Sequence, residues 1–283
     1  LSGYKLTGAN GDSITFDNSN FVLNQTLTGF GIPPTSVRID ESARDGGTHR
    51  YTRRAVRNID MPVTVLGSDA ADVESKLRRL ARLTQDTLGP TTLTALRDAG
   101  DLTMELHYVG GAELEYGGDT GGIEFASLVL SFQAPNPYWQ SADLESFSVE
   151  VGETGRGLLP QLTKLRVSSS QAIGLINVNN TSDVPVFPTF EITGPVDGLS
   201  VSLNGEGWSF TEDILTGDIY EIDHGAGTVV GIGGVNRYDI FDTAPKFFAF
   251  PPGTSSVLVV GTNATLDTSI TCRYNLAFEV VHG

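Results

Sequence analysis

The segment Ala134-Pro135-Asn136-Pro137-Tyr138-Trp139 constrains the fold of this 283-residue chain more than any other. It follows an apolar run from Ile123 to Phe132, and the texture of the sequence changes after it. Neither proline has an amide hydrogen for a sheet ladder, so the preceding strand must end there, and their fixed φ stiffens the exit. Tyr138 and Trp139 then supply two large amphipathic rings. Pro135, Pro137, Tyr138 and Trp139 therefore read as an inter-domain joint. It separates an N-terminal domain, 1-140, from a C-terminal domain, 141-283, with both rings expected to pack between them.

Both halves read as strands. In the first, alternating or apolar stretches run from Tyr4 to Leu6, Ser13 to Phe16, Phe21 to Leu23, Arg54 to Val65, Leu102 to Val109 and Ile123 to Phe132, with turn-rich segments between them. One helix is expected, from Ser68 to Leu88. Ser68 can cap it, Asp69, Asp72 and Glu74 suit its positive end, and Gly89-Pro90 stop it. Val73, Leu77, Leu80, Thr84 and Leu88 form one apolar stripe to lay on a sheet, which leaves Arg78, Arg79 and Arg82 as a solvated outer face.

From Thr28 to Tyr51 the periodicity is weak and the charge mixed. Arg38, Asp40, Arg44, Asp45, His49 and Arg50 lie on what reads as a long loop or β-arm reaching beyond its own domain. Contact with another subunit and simple solvation are both open for them.

The second half shows no helix. Asn204-Gly205 marks a two-residue hairpin, and His224-Gly225-Ala226-Gly227 marks another. From Ile270 to Val280 apolar and polar residues alternate as one long strand, as an antiparallel sandwich requires. The fold class is therefore mainly β: an N-terminal β-barrel or sandwich with one flanking α-helix, then an antiparallel β-sandwich.

Charge limits what such a chain can bind. The net charge is −16, which argues against gripping nucleic acid, because phosphate binding needs Lys and Arg. A negative wall does suit a surface that DNA passes without sticking. Residues 1-140 carry 12 bases and 17 acids, and residues 141-283 carry 6 and 17. The single cysteine, Cys272, excludes an internal disulfide and reads as a small core residue. No stretch has the roughly 20 apolar residues of a membrane helix, and no leader opens the chain, so it reads as made in a reducing cytosol.

No catalytic, cofactor or metal site is expected. His49, His107, His224 and His282 are scattered singly and read as surface or loop residues, not ligands. Glu113 and Glu115 would share one strand face, where a glycosidase pair must face across a cleft. The Gly117 to Gly122 loop lacks the Lys-Ser/Thr of a phosphate cradle. Asp213, Asp218, Glu221 and Asp223 are too irregular for an EF-hand, although a weak surface calcium site stays open. Trp208, Tyr220 and Tyr238 are candidates to stack on a sugar. Trp208 alternates with Phe210, which argues instead for a core position.

Four segments in order give the chain a resemblance. They are Arg57-Asn58-Ile59-Asp60-Met61-Pro62-Val63 ahead of the helix, Ser131-Phe132-Gln133-Ala134-Pro135-Asn136-Pro137-Tyr138-Trp139, the run from Asn180 to Pro195, and Leu215-Thr216-Gly217-Asp218-Ile219-Tyr220-Glu221-Ile222-Asp223 with the later Phe247-Phe248-Ala249-Phe250-Pro251-Pro252-Gly253. Together they resemble the distal tail protein (Dit) family of long-tailed, non-contractile bacteriophages.

The resemblance implies a ring-forming N-terminal domain and a projecting galectin-like C-terminal sandwich. It implies a virion protein of the tail tip, with six copies in a ring that leaves a channel for DNA. The implied partners are further copies of the chain, the tail tube protein, the tail hub protein, the tape-measure protein and other minor tail proteins, including receptor-binding ones. Membrane insertion is not implied. The alternative is a glycan-binding virion adhesin that uses the C-terminal sandwich.

Overall fold

The computed structural model describes residues 3–24, 27–114, 124–150, 171–242, 244–265 and 267–281. Glu115, the loop from Gly117 to Gly122 and His282 lie outside them. The chain divides into two compact units: Leu1–Asp143 with Phe278–Gly283, and Leu144–Ala277. The division thus falls after Asp143 instead of residue 140, and the chain's end returns to the first unit.

Strands of the first unit are β1 (Gly3–Thr7), β2 (Ser13–Phe16), β3 (Phe21–Leu23), β4 (Thr35–Glu41), β5 (Gly47–Arg54), β6 (Arg57–Leu66), β7 (Thr91–Leu96), β8 (Leu102–Gly111), β9 (Phe125–Ala134) and β10 (Trp139–Ser141). All but β4 and β5 join one sheet, in the order β2-β1-β7-β8-β9-β6-β3 with β10 beside β8, and it curls into a nearly closed barrel. The longest ladder runs from Arg57↔Ala134 to Leu66↔Phe125. Period-two alternation along β6 puts Arg57, Ile59, Met61, Val63 and Val65 on one buried face. The expected strand from Arg54 to Val65 is therefore two, parted at Ala55-Val56, and the first belongs to a different sheet.

Helix α1 (Ala70–Leu83) is shorter than the expected span. Its cap is Asp69, not Ser68: the Asp69 carboxylate accepts from the Asp72 N–H, and the Ser68 N–H donates to Asp72 in return. At the far end the Thr84 hydroxyl bonds back to the Leu80 carbonyl, and a 3-10 turn, Asp86–Leu88, follows. Leu88 is consequently exposed, and Leu83 joins Val73 and Leu80 on the buried side. Arg79 also departs from its expected solvated role. It donates to both Asp12 oxygens (2.9 and 2.7 Å) and to the Ser13 carbonyl, pinning α1 to the β1–β2 turn.

Trp139 is fully buried in the barrel core, its ring 5.8 Å from Phe30, which in turn meets Tyr4 edge-on at 5.0 Å. Its environment is thus the first unit's own core. Tyr138 is half-buried beside it, its N–H held by the Asn136 side chain.

The second unit is a two-sheet antiparallel sandwich. Its strands are β11 (Glu145–Glu150), β12 (Gln171–Asn180), β13 (Thr189–Thr193), β14 (Asp197–Leu203), β15 (Glu206–Ser209), β16 (Ile219–Asp223), β17 (Thr228–Val230), β18 (Gly253–Thr262) and β19 (Ser269–Tyr274). They form sheets β11-β19-β13-β16-β17 and β12-β18-β14-β15. Asn204 and Gly205 take φ of 53° and 82° between Leu203↔Glu206, the mirror-image turn that an Asn-Gly pair favours.

The expected strand from Ile270 to Val280 is broken. The ladder of β19 stops at Tyr274, Asn275 and Leu276 carry no strand structure, and a short strand β20 (Ala277–Phe278) follows with its burial out of phase. Cys272 is fully buried, and burial pushes its thiol pKa up.

Candidate assembly surface

Strands β4 and β5 form a two-stranded sheet of their own, outside the barrel. Nearly every residue in it is exposed. A lone hairpin with no buried face is marginally stable in water, so something must anchor it or cover it. The anchor is visible at its root, and among the described residues nothing covers it.

A bulge between Arg38 and Ile39 shifts the register, so that Arg38 opposes Tyr51 and Ile39 opposes His49. On one face Asp40 takes Arg50 at 2.5 Å and Arg38 at 3.4 Å, while Arg53 lies 5.8 Å from the Tyr51 ring centroid. Exposed ion pairs of this kind contribute about 0–1 kcal/mol each. The other face carries Val37 and Ile39, exposed at 51% and 58%, with His49 and Thr52 joined at 2.7 Å. Arg44 and Asp45 sit exposed at the tip, where the Ser42 hydroxyl donates to the Arg44 carbonyl.

In the sequence the charged residues of this stretch stand out, and Val37 and Ile39 do not. Yet the acid–base set is largely satisfied within the arm, and the apolar pair is what lacks a partner.

The root is held by two arginines that the sequence reading did not single out. Arg54 donates to the Glu279 carboxylate (Nε, 2.9 Å) and to Thr35 (2.6 Å), and the Ala55 N–H closes on the Pro34 carbonyl (2.8 Å). Arg57 is fully buried and gives every bond to a backbone carbonyl. These are Gly29 and Gly31 before the arm, Pro137 after β9, and Glu279 near the chain's end, all at 2.8 Å. Burial lowers its pKa, and the Glu279 carboxylate opposes that shift. Gly29 is required at this crossing: its φ is 84°, and a Cβ there would fall 2.0 Å from the Asn58 carbonyl oxygen. A signal for Arg57 was available, because it stands in the inward phase of β6.

The aromatic candidates in the sandwich divide, and Trp208 takes the core position that its alternation with Phe210 argues for. Trp208 and Tyr220 are buried, so neither can offer a ring face to a sugar, and only Tyr238 is exposed. His224 lies in the turn after β16, which fits its reading as a loop residue, but it is buried and not at the surface. Trp208 Nε1–H donates to His224 Nε2 (2.9 Å), so Nδ1 keeps the hydrogen and donates to the Phe248 carbonyl (3.0 Å). Phe190, Phe247 and Phe248 pack around the imidazole, and this burial lowers its pKa to about 4.

His49 lies on the arm and His107 contacts Asp86 at 2.9 Å. Among the described residues no group of three or more His, Cys, Asp or Glu is close enough to hold a metal ion. An apolar cavity of about 510 Å³ opens between α1 and the β8–β9 ladder, lined by Leu77, Leu80, Tyr108, Leu128 and Leu130 among others. Among the described residues no helix is long and apolar enough to cross a membrane.

No family model and no curated protein matches the chain. Solved structures do. The SPP1 Dit protein, described as a paradigm of the hub adsorption apparatus in phages that infect Gram-positive bacteria, aligns with a TM-score of 0.66 at 13% identity, over 97% of this chain and 99% of that one. A chain of the phage P2 baseplate in its activated conformation with calcium aligns with a TM-score of 0.55 at 12% identity, over 99% of both chains. The strontium form of that baseplate gives 0.55 at 11%. At such identities the likeness is one of fold, and it spans both units. It is the same fold that the sequence resemblance to distal tail proteins implies.

Proposed function

We propose that the chain is a structural component of a bacteriophage tail tip, a baseplate hub protein that works by assembly and not by catalysis. The observation that carries this is end-to-end similarity of fold to SPP1 Dit and to a phage baseplate chain. In the finer form of the proposal, copies close into a ring, most simply of six. The ring joins the tail tube to the hub and the tape-measure protein, and leaves a channel for DNA. It is a virion component made in the host cytoplasm.

Closed cyclic assembly needs a patch on each copy that meets a different patch on the next. The β4–β5 arm suits that role. It has no buried face of its own, its apolar pair Val37 and Ile39 is uncovered, and Arg54 and Arg57 fix its root. The net charge of −16 agrees with a channel that DNA crosses without adhering. Glycan adhesion through Trp208 or Tyr220 has no support, since both rings are buried.

Electron microscopy of the purified chain, alone and with its tube protein, tests the proposal: closed rings are expected. Deleting Asp40 to Arg50 should abolish them while circular dichroism shows a folded protein. Intact rings from that variant would remove the arm from the interface, and a monomer under every condition would remove the ring.

A further inference from the structure

Past β17 the chain reads Gly231-Ile232-Gly233-Gly234-Val235. The loop closes tightly, with the Gly231 N–H on the Val235 carbonyl (2.8 Å) and the Gly234 N–H on the Gly231 carbonyl (3.1 Å). Gly233 and Gly234 adopt φ of 76° and 79°, which L side chains rarely do, so the turn depends on both. What it presents is apolar: Ile232 and Val235 are 60% and 57% exposed. The sandwich core is supplied by Val229 before the loop and Ile240 after it, so these two side chains have no packing duty.

Single exposed aliphatic residues are ordinary. These two line one concavity, about 190 Å³ in volume, with Asp218, Tyr220, Gly231 and Arg237. Leu215, exposed as well, adjoins it through its N–H bond to Asp218. Gly231 keeps the space open, since a Cβ there would lie 3.1 Å from Arg237 Cγ and 3.3 Å from Tyr220 Cε1.

The chemistry of the lining selects the class of occupant. Small-molecule and cofactor sites usually enclose about 300–1,000 Å³, so this space suits one side chain. A sugar would want an exposed ring face and free donors. Tyr220 is the one aromatic residue of the lining and is buried. Arg237 is spent on Glu212 (2.8 Å), Asp239 (3.3 Å) and the Tyr220 hydroxyl (3.2 Å). Asp218 lines the cleft, and Asp239 and Glu212 hold Arg237 at its side, so three acids meet one base there. An acidic surround about an aliphatic cleft complements a segment that carries Lys or Arg on either side of an aliphatic residue.

We propose that the Gly231–Val235 loop and its cavity form a docking site for another protein, which inserts one aliphatic side chain from a basic segment. The site is independent of ring closure, because it uses no residue of the arm.

The test is a titration of the isotope-labelled full chain with three capped pentapeptides, followed by amide chemical shifts. They are Lys-Lys-Leu-Lys-Lys, Lys-Lys-Ser-Lys-Lys and Glu-Glu-Leu-Glu-Glu. The basic leucine peptide should move the Gly231 to Val235 amides and bind at least about tenfold more tightly than either control. The double variant Ile232→Ser, Val235→Ser should lose that preference while keeping the core shifts of β13 and β16, which shows that it is folded.

Three results would overturn the proposal. One is equal binding of the serine peptide, which would mean charge alone. Another is no response of the loop below about 1 mM. The third is a loop response to galactose or N-acetylglucosamine with none to the leucine peptide.

Discussion

Arg57 and His224 are buried polar side chains at opposite ends of a strand pattern, one in each unit. Arg57 opens β6 in the inward phase with Ile59 and Met61, and His224 follows β16 in the inward phase with Tyr220 and Ile222. Every ring or guanidinium nitrogen of both has a partner, but by different chemistry. Arg57 stays charged and gathers four carbonyls from three separated stretches of chain, so it organises backbone. His224 is neutral and bridges Trp208 to Phe248 inside an aromatic cluster, so it fixes side chains. A cation suits the place where several loops end, because orphan carbonyls collect there. A neutral ring suits a core with few carbonyls left to meet.

The sharpest way to break the comparison is Arg57→Met. Four carbonyls would lose a charged donor while the stem volume is roughly kept. The first unit should lose about 3–5 kcal/mol, because several buried carbonyls lose their donor at about 1–3 kcal/mol each. Hydrogen exchange read by mass spectrometry should show faster exchange at the arm root and β6, with β13 to β19 unchanged. Equal loosening of both units would mean that Arg57 does not act locally.

Acid separates the two groups next. The folded pKa of His224, about 4, lies below its ordinary value of 6.5. Above pH 6.5 both folded and unfolded states hold it neutral, and it costs nothing. As pH falls toward 4 the unfolded chain takes up a proton that the folded one refuses, so stability declines through that window and levels off below it. The full loss is about 3 kcal/mol, and it falls on the second unit.

Asp12 and Asp72, in the first unit, behave differently. Their pKa values are lowered from 3.8, chiefly by hydrogen bonds from Arg79 and Lys76, so their contribution is intact above 3.8 and fades only below it. Denaturant midpoints between pH 7 and 4 should therefore fall for the second unit. His224→Phe should flatten that fall, and an unchanged slope in the variant would exonerate the histidine.

Much of this was legible in the sequence. Alternation located most strands, Asn204-Gly205 fixed its turn, and the proline pair ended β9. The same alternation places Arg57 and His224 inward, although His224 reads by its polarity and its turn as a surface or loop residue. What stayed hidden is non-local. The partners of Arg57 lie up to 222 positions away, and nothing near Glu279 announces that the chain's end returns to the first unit. The arm was visible as a stretch of weak periodicity, and its charges drew notice first. That its apolar pair is the unpartnered part follows only from the register, which puts Asp40 within reach of both Arg38 and Arg50.

The smallest effect sharpens the comparison most, because the chain has two tryptophans, one per unit, and both are buried. Trp208 Nε1 has His224 as its acceptor, whereas Trp139 Nε1 is buried with no partner among the described residues. Trp139→Phe removes ring volume and also an unsatisfied donor, and these oppose each other. A net loss of about 1 kcal/mol or less is expected. Trp208→Phe removes similar volume but strands His224 Nε2, and should cost about 1–3 kcal/mol more. Each variant leaves a single tryptophan to report the other unit by fluorescence, while hydrogen exchange reports the unit that was changed. If Trp139→Phe proves as costly as Trp208→Phe, volume governs both sites. Hydrogen bonding would then not be what distinguishes the two cores.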